Sequence, residues 1–163
     1  MEYTAYLDIE TTGLSPEHSE LTVIGIFREC GTDDGITQLV GDDISSFALI
    51  QALEDVTTIY TYNGARFDLP FIKSKLNVDL TDHFHHKDLM FSCWKRKLYG
   101  GLKGVERKLG IERMLPDVNG WVAVQLWHRY INNGDRGSLE KLLKYNEEDV
   151  VNLKVLREML EDR

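Results

Sequence analysis

Leu7-Asp8-Ile9-Glu10-Thr11-Thr12-Gly13 is an apolar stretch that ends in two carboxylates one residue apart. Strand side chains alternate faces, so a strand here points Asp8 and Glu10 the same way, roughly 7 Å apart. Thr11-Thr12-Gly13 then turns the chain. Two like charges on one face of a buried strand repel each other and resist desolvation. A cation between them removes both penalties. The remaining chain is therefore read for residues that complete a cation site.

Working outward, Tyr3 to Ile9 reads as a central strand, apolar or aromatic on both faces. Leu21 to Arg28 and Ile36 to Val40 read as the second and third strands, separated by Gly/Asp/Ser/Pro turns, which suggests an antiparallel meander. Ile44 to Leu53 has helical spacing, and Thr57 to Tyr62 is a β-branched and aromatic fourth strand. Phe67 to Leu76 reads as a helix with Pro70 in its first turn, and Leu80 to Phe84 as a fifth strand. A helix follows around Leu102, Val105 and Leu109, ended by Gly110. Leu115 to Gly120 reads as loop and Val122 to Ile131 as a short helix. The last helix runs from Leu139 to about Leu160, with Ser138 as its N-cap. The pattern predicts an α/β fold: a mixed five-stranded sheet, meander plus parallel strands, with helices on both faces.

At 163 residues the chain fits a single domain over 1–163 with a real core. No apolar run reaches the ~18 residues of a membrane span. The N-terminus enters a strand at once, without a basic-then-apolar signal pattern. Cys30 and Cys93 form no CxxC, and the reading is two buried free thiols, which suits a reducing cytoplasm. The net charge of −8 argues against a nucleic-acid partner, but its distribution argues back. Lys87 to Arg113 holds eight Lys/Arg and three Asp/Glu, a local +5, which leaves −13 on the remainder. An acidic, metal-binding face beside a basic strip fits that split, as does a plain solvated helical surface.

On the last helix Leu139, Leu142, Leu143, Asn146, Val150, Leu153, Leu156 and Leu160 form one apolar stripe, and Asp149 falls inside it. Tyr145 lies one turn earlier, and no Lys or Arg of the helix shares that face. A carboxylate there costs several kcal/mol unless paired or coordinated, although backbone hydrogen bonds would also satisfy it. Asp68, in Tyr62-Asn63-Gly64-Ala65-Arg66-Phe67-Asp68-Leu69-Pro70-Phe71, falls at a helix start, where an isolated Asp serves as a cap. Taken together, Asp8, Glu10, Asp68 and Asp149 are placed to converge on a divalent cation.

Asp8-Ile9-Glu10-Thr11-Thr12-Gly13 resembles the first motif of the DEDD 3′-to-5′ exonucleases of the ribonuclease H-like superfamily (DnaQ-like). Tyr62-Asn63-Gly64 through Phe67-Asp68-Leu69-Pro70-Phe71 is similar to the second, close to its form in proofreading domains of family B polymerases. Tyr145-Asn146-Glu147-Glu148-Asp149 resembles the third in its tyrosine variant, DEDDy; the histidine variant would need His where Lys144 stands. His86-Lys87-Asp88-Leu89, Gly104-Val105-Glu106 and Gly110-Ile111 resemble the YprB-type ribonuclease H-like group. The resemblance implies hydrolysis at the 3′ end of single-stranded DNA or RNA, releasing nucleoside 5′-monophosphates. It implies two Mg²⁺ or Mn²⁺ ions ~4 Å apart, suited to oxygen ligands. Asp8 would bridge both, Glu10 and Asp149 would complete one shell, and Asp68 would hold the other ion through water. Tyr145 would orient the attacking water, and Asn63 the terminal nucleotide, with Thr11, Thr12, Gly13, Leu14 and Phe67 also lining the substrate.

Other residues read more plainly. His83, His85 and His86 lack partners spaced for zinc. Asp88 reads as a cap or support rather than a ligand. Trp94, Lys95, Arg96, Lys97 and Tyr99 mix aromatic and basic groups, as single-strand binders do, although packing of Trp94 with solvated lysines fits equally. Trp121 and Trp127 read as core. A different class of function, a nucleic-acid-binding module without turnover, is opposed by the intact acids and Tyr145. A haloacid-dehalogenase-type phosphatase wants Asp where Glu10 stands, and an endonuclease of the ribonuclease H class would cut circular substrates. The cation reading fails if Asp149 lies far from Asp8, or pairs with a basic side chain instead.

Overall fold

The computed structural model describes residues 1–162. Five strands form one mixed sheet in the order β3-β2-β1-β4-β5. They are β1 (Tyr3–Thr11), β2 (Leu21–Cys30), β3 (Asp33–Val40), β4 (Val56–Thr61) and β5 (His85–Asp88). β1, β2 and β3 make the antiparallel meander, while β4 and β5 run parallel to β1. The expected sheet is therefore present, and β1 is its centre.

Alternation along β1 sorts the two cores. Ala5, Leu7 and Ile9 pack with Leu49 and Leu53 of α1 (Ser46–Ala52, with Leu53 at its C-cap) and with Phe71 and Ile72 of α2 (Asp68–Leu76). Tyr6 points the other way, among Val150, Leu153 and Leu156 of α6 (Arg136–Glu161). Asp8 and Glu10 share the phase of Tyr6, so they face α6. Burial of both strand faces explains why β1 reads as a near-continuous apolar run.

The other helices are α3 (Leu89–Lys95), α4 (Gly101–Leu109) and α5 (Gly120–Asn133). No helix among the described residues is long and apolar enough to cross a membrane.

Several expectations need correction. The fifth strand is His85–Asp88, not Leu80 to Phe84. Asp79 accepts a hydrogen bond from the Thr81 N–H and starts a 3-10 turn over Leu80–Asp82, and pairing with β4 begins only at His85. α3 lies inside the basic strip and, at seven residues, is too short to show helical periodicity; Leu89, Met90 and Cys93 are buried. α6 starts at Arg136, and its N-cap is Asp135 rather than Ser138, whose N–H and hydroxyl both donate to that carboxylate. Trp127 is core, but Trp121, in the first turn of α5, is 72% exposed. Cys30 and Cys93 are free; Cys93 is buried and Cys30 partly exposed.

Candidate active site

Asp8, Glu10 and Asp149 each present a carboxylate oxygen within 4.8 Å of the others. Asp8 keeps some exposure, whereas Glu10 and Asp149 are buried. Glu10 Oε1 is buried with no hydrogen-bond partner. An all-oxygen donor set with an orphaned carboxylate oxygen fits a hard divalent cation. Asp68 stands outside this trio. It opens α2 but does not cap it; its Oδ2 accepts from the Ile9 N–H at 3.1 Å, which ties α2 to β1 between the two strand acids. Tyr145 is buried one helical turn before Asp149.

Asn146 locks α6 to β1. Its Nδ2 donates to the Asp8 carbonyl at 3.2 Å, with a longer contact to Asp8 Oδ2 at 3.4 Å. Gln38 of β3 donates to Asn146 Oδ1 at 3.0 Å. Gly25 pairs with Asp8 across the sheet, and a Cβ there would lie 2.0 Å from Asn146 Oδ1. Only a glycine lets Asn146 come down onto the strand.

Burial pushes the carboxyls of Asp8 and Glu10 well above the ordinary carboxylate range, with the charge of Asp149 reinforcing it. Asp68 is pushed up to about 7, chiefly by burial, with smaller contributions from Asp88 and Asp149. Asp149 is raised by burial, but the Arg113 guanidinium opposes the rise. Tyr145 is raised by burial and by the neighbouring acids, so it stays a neutral phenol.

These directions set a stability dependence. A carboxyl whose folded pKa lies above its unfolded value holds its proton longer in the folded state, so stability falls as pH rises through that interval. For Asp68 the interval runs from 3.8 to about 7. In EDTA, the loss of thermal stability between pH 4.5 and 7.5 should therefore be smaller in Asp68→Asn than in the wild type. Parallel profiles would remove Asp68 from the electrostatics of the cluster.

Three of the four expected acids, Asp8, Glu10 and Asp149, come together and Asp68 does not join them, and a cation enters the group. Arg113 Nη2 donates to Asp149 Oδ1 at 2.6 Å and to Glu106 Oε1 at 2.7 Å. Asp149 therefore has a basic partner, but alongside Asp8 and Glu10 rather than instead of them. Arg113 comes from the irregular segment 110–119 and carries no periodicity, so no sequence pattern marks it. Glu106 does leave a signal, because it stands four residues after Leu102 on the apolar stripe of α4.

The remaining candidates sit around this centre. Thr11 donates to the Gly13 carbonyl and Thr12 accepts from the Glu20 N–H, so both stabilise the turn after β1. A Cβ at Gly13 would press on Ser19 Oγ. Leu14 is 84% exposed. Phe67 packs its ring against Phe71 at an interplanar angle of 59° and joins the α2-side core. Asn63 has φ 61°, and its N–H donates to Asp88 Oδ1 at 2.8 Å. Asp88 also accepts from Ala65 N–H and caps α3, which is the supporting role expected of it. Trp94 is partly exposed, and the Arg66 guanidinium lies 5.3 Å from the ring centroids of both Trp94 and Phe91. His86 Nε2 bonds Thr61 Oγ1 at 2.8 Å.

A central strand ending in paired acids, with a third acid from a facing helix, belongs to a known superfamily. The chain is a member of the RNase_H superfamily, whose family model matches residues 5–161. Among curated proteins it is similar to the uncharacterized protein YprB of Bacillus subtilis (strain 168), at 28% identity over 163 aligned residues. That alignment covers 91% of this chain and 39% of YprB, so the chain spans well under half of its relative.

Among solved structures the fold is similar to a family B DNA polymerase from the archaeon Pyrobaculum calidifontis. There the TM-score is 0.72 at 15% identity, covering 98% of this chain and 24% of the polymerase. It is also similar to Brucella melitensis NrnC, with a TM-score of 0.64 at 21% identity, covering 98% of this chain and 72% of NrnC. A further NrnC structure, with bound Mg²⁺, gives a TM-score of 0.60 at 19% identity and the same coverage.

Proposed function

We propose that the chain is a metal-dependent 3′-to-5′ exonuclease of the DEDDy type. It would act on single-stranded DNA or RNA ends and release nucleoside 5′-monophosphates. The observation that carries this reading is the meeting of Asp8, Glu10 and Asp149 within 4.8 Å, with Tyr145 one turn from Asp149 on the same helix. NrnC structures with Mg²⁺ and with pGG support divalent metal and an oligonucleotide as the kind of ligand to test.

Asp8, Glu10 and Asp149 would hold one Mg²⁺ or Mn²⁺, with Asp8 and Asp68 serving a second. Such cations supply positive charge that polarises the scissile phosphate and lowers the pKa of the attacking water. The phenol of Tyr145, kept neutral by burial, is a hydrogen-bond partner able to hold that water in line rather than a base that removes its proton. The water oxygen bonds to phosphorus and gives its proton to bulk solvent, while the bond from phosphorus to the 3′ oxygen of the penultimate nucleotide breaks and that oxygen takes up a proton from solvent. The products are a nucleoside 5′-monophosphate and a strand shorter by one with a new 3′ hydroxyl. Asn63, held in a left-handed turn by Asp88, and the exposed Leu14 would contact the terminal nucleotide.

The Arg113–Asp149 pair favours a second reading, a binding module of the same fold whose acid is committed to arginine. Hydrolysis separates the two. With 5′-labelled single-stranded DNA or RNA and Mn²⁺ or Mg²⁺, a ladder shortening from the 3′ end with mononucleotide products is expected, and EDTA should abolish it. Oligonucleotide binding without any metal-dependent cleavage would establish the second reading. Cleavage of circular strands would replace the exonuclease with an endonuclease.

A further inference from the structure

We infer that Arg113 is a positioning residue for this site: it orients Asp149 and serves as the built-in counter-charge of the acid cluster. The inference rests on the nuclease reading for its kinetic consequence, but its electrostatic consequence stands apart from turnover.

The guanidinium is held in a two-sided clamp. Its Nε and Nη2 donate to Glu106 Oε2 and Oε1 at 2.8 and 2.7 Å, a bidentate fork. Nη2 also donates to Asp149 Oδ1 at 2.6 Å. Asn152 Nδ2, three residues along α6 from Asp149, donates at 2.9 Å to Glu106 Oε2, the oxygen that also accepts from Arg113 Nε. Glu106 is 1% exposed, and the Arg113 side chain is almost as buried. The guanidinium carbon also lies 5.7 Å from the centroid of the Tyr145 ring. One cation therefore touches the acid of the third motif and flanks its tyrosine.

The segment bearing Arg113 is tied down independently. The Glu148 carboxylate accepts from the N–H groups of Met114 and Leu115, and Lys103 Nζ donates to the Val118 carbonyl. Val118 is buried beside Tyr145 and Trp127. Loop packing thus does not need a guanidinium aimed at Asp149, and a simple loop anchor would be satisfied by Glu106 alone. Arg113 engages Oδ1 and leaves Oδ2 outside that bond, so Asp149 can have one oxygen fixed and one for a cation. Without Arg113, Asp149 and Glu106 would lose their only direct ion pair among the described residues, beside Asp8, Glu10 and Asp68, with Lys103 left as the nearby cation, a costly arrangement.

The test uses Arg113→Met, which keeps length and loses charge, and Arg113→Lys, which keeps charge and loses the planar fork. Melting temperatures are read in EDTA and in saturating Mn²⁺, together with kcat and KM on a labelled oligonucleotide. Arg113→Met should melt lower than wild type in EDTA and gain more from Mn²⁺, because a more negative cluster binds the cation more strongly. Both variants should lose about 10- to 100-fold in kcat, with KM within about twofold. If Arg113→Met does not fold, Arg113→Lys carries the test by its kcat loss at unchanged KM. Wild-type kcat in either folded variant, or an Mn²⁺-induced shift in Arg113→Met equal to that of wild type, overturns the inference. A wild-type protein that never cleaves sinks the nuclease reading instead, and the two melting curves still report on Arg113.

Discussion

Asp8→Ala should lower the rate of 3′-end hydrolysis by at least ~10³-fold while leaving a folded protein. Asp8 belongs to the Glu10–Asp149 cluster and also feels the charge of Asp68, so on the proposed function it would be the ligand shared between the two cations. The fold should not suffer. Burial and the other acids already disfavour the Asp8 carboxylate, so removing it relieves repulsion and loses only the long Asn146 contact to Oδ2, while the Asn146 bond to the backbone carbonyl stays. In EDTA at pH 7.5 the variant should melt at or above the wild-type temperature, and the Mn²⁺-induced rise should shrink. Asp149→Ala should be as inactive but should not gain stability, because it strips Arg113 of one of its two carboxylate partners. Hydrolysis at the wild-type rate by either variant would remove that residue from the site.

The second large effect comes from a residue with no side chain. Gly25→Ala would place a methyl 2.0 Å from Asn146 Oδ1, so Asn146 must move. Its bonds to the Asp8 carbonyl and from Gln38 then break together. Overpacking and unsatisfied buried amide groups should cost about 2–4 kcal/mol, or roughly 5–15 °C in melting temperature. Displacement of α6 against β1 also shifts Asp149 and Tyr145 relative to Asp8. A misplacement of about 1 Å should lower kcat about 10²-fold. Melting curves and single-turnover rates at saturating Mn²⁺ measure both effects. An unchanged rate would mean that the α6–β1 contact does not set the site's geometry.

Much of the architecture was legible in the chain, and the reasons are local. β1 announces itself because both of its faces are buried, and its two acids are conspicuous because nothing nearby neutralises them. Asp149 is legible because helical periodicity places it in an apolar stripe. Asp68 is ambiguous in isolation, since a helix start is where a capping Asp also sits; only its bond to Ile9 N–H across the fold distinguishes the two. The boundaries of β5 and α6 were misplaced where polar side chains settle the backbone, at Asp79 and Asp135. Arg113 left no trace, because its role depends on where irregular chain falls in space. Gly25 left none either, because what matters there is an approach from a helix far along the chain.

Each acid of the quartet sits on a strand or a helix, but the guanidinium facing Asp149 is borne by the connection between α4 and α5. Connections lengthen and shorten over evolutionary time far more freely than sheets change register. On the proposed function, insertions or deletions between residues 110 and 119 would retune how strongly this scaffold grips a cation while the proposed ligands stay fixed.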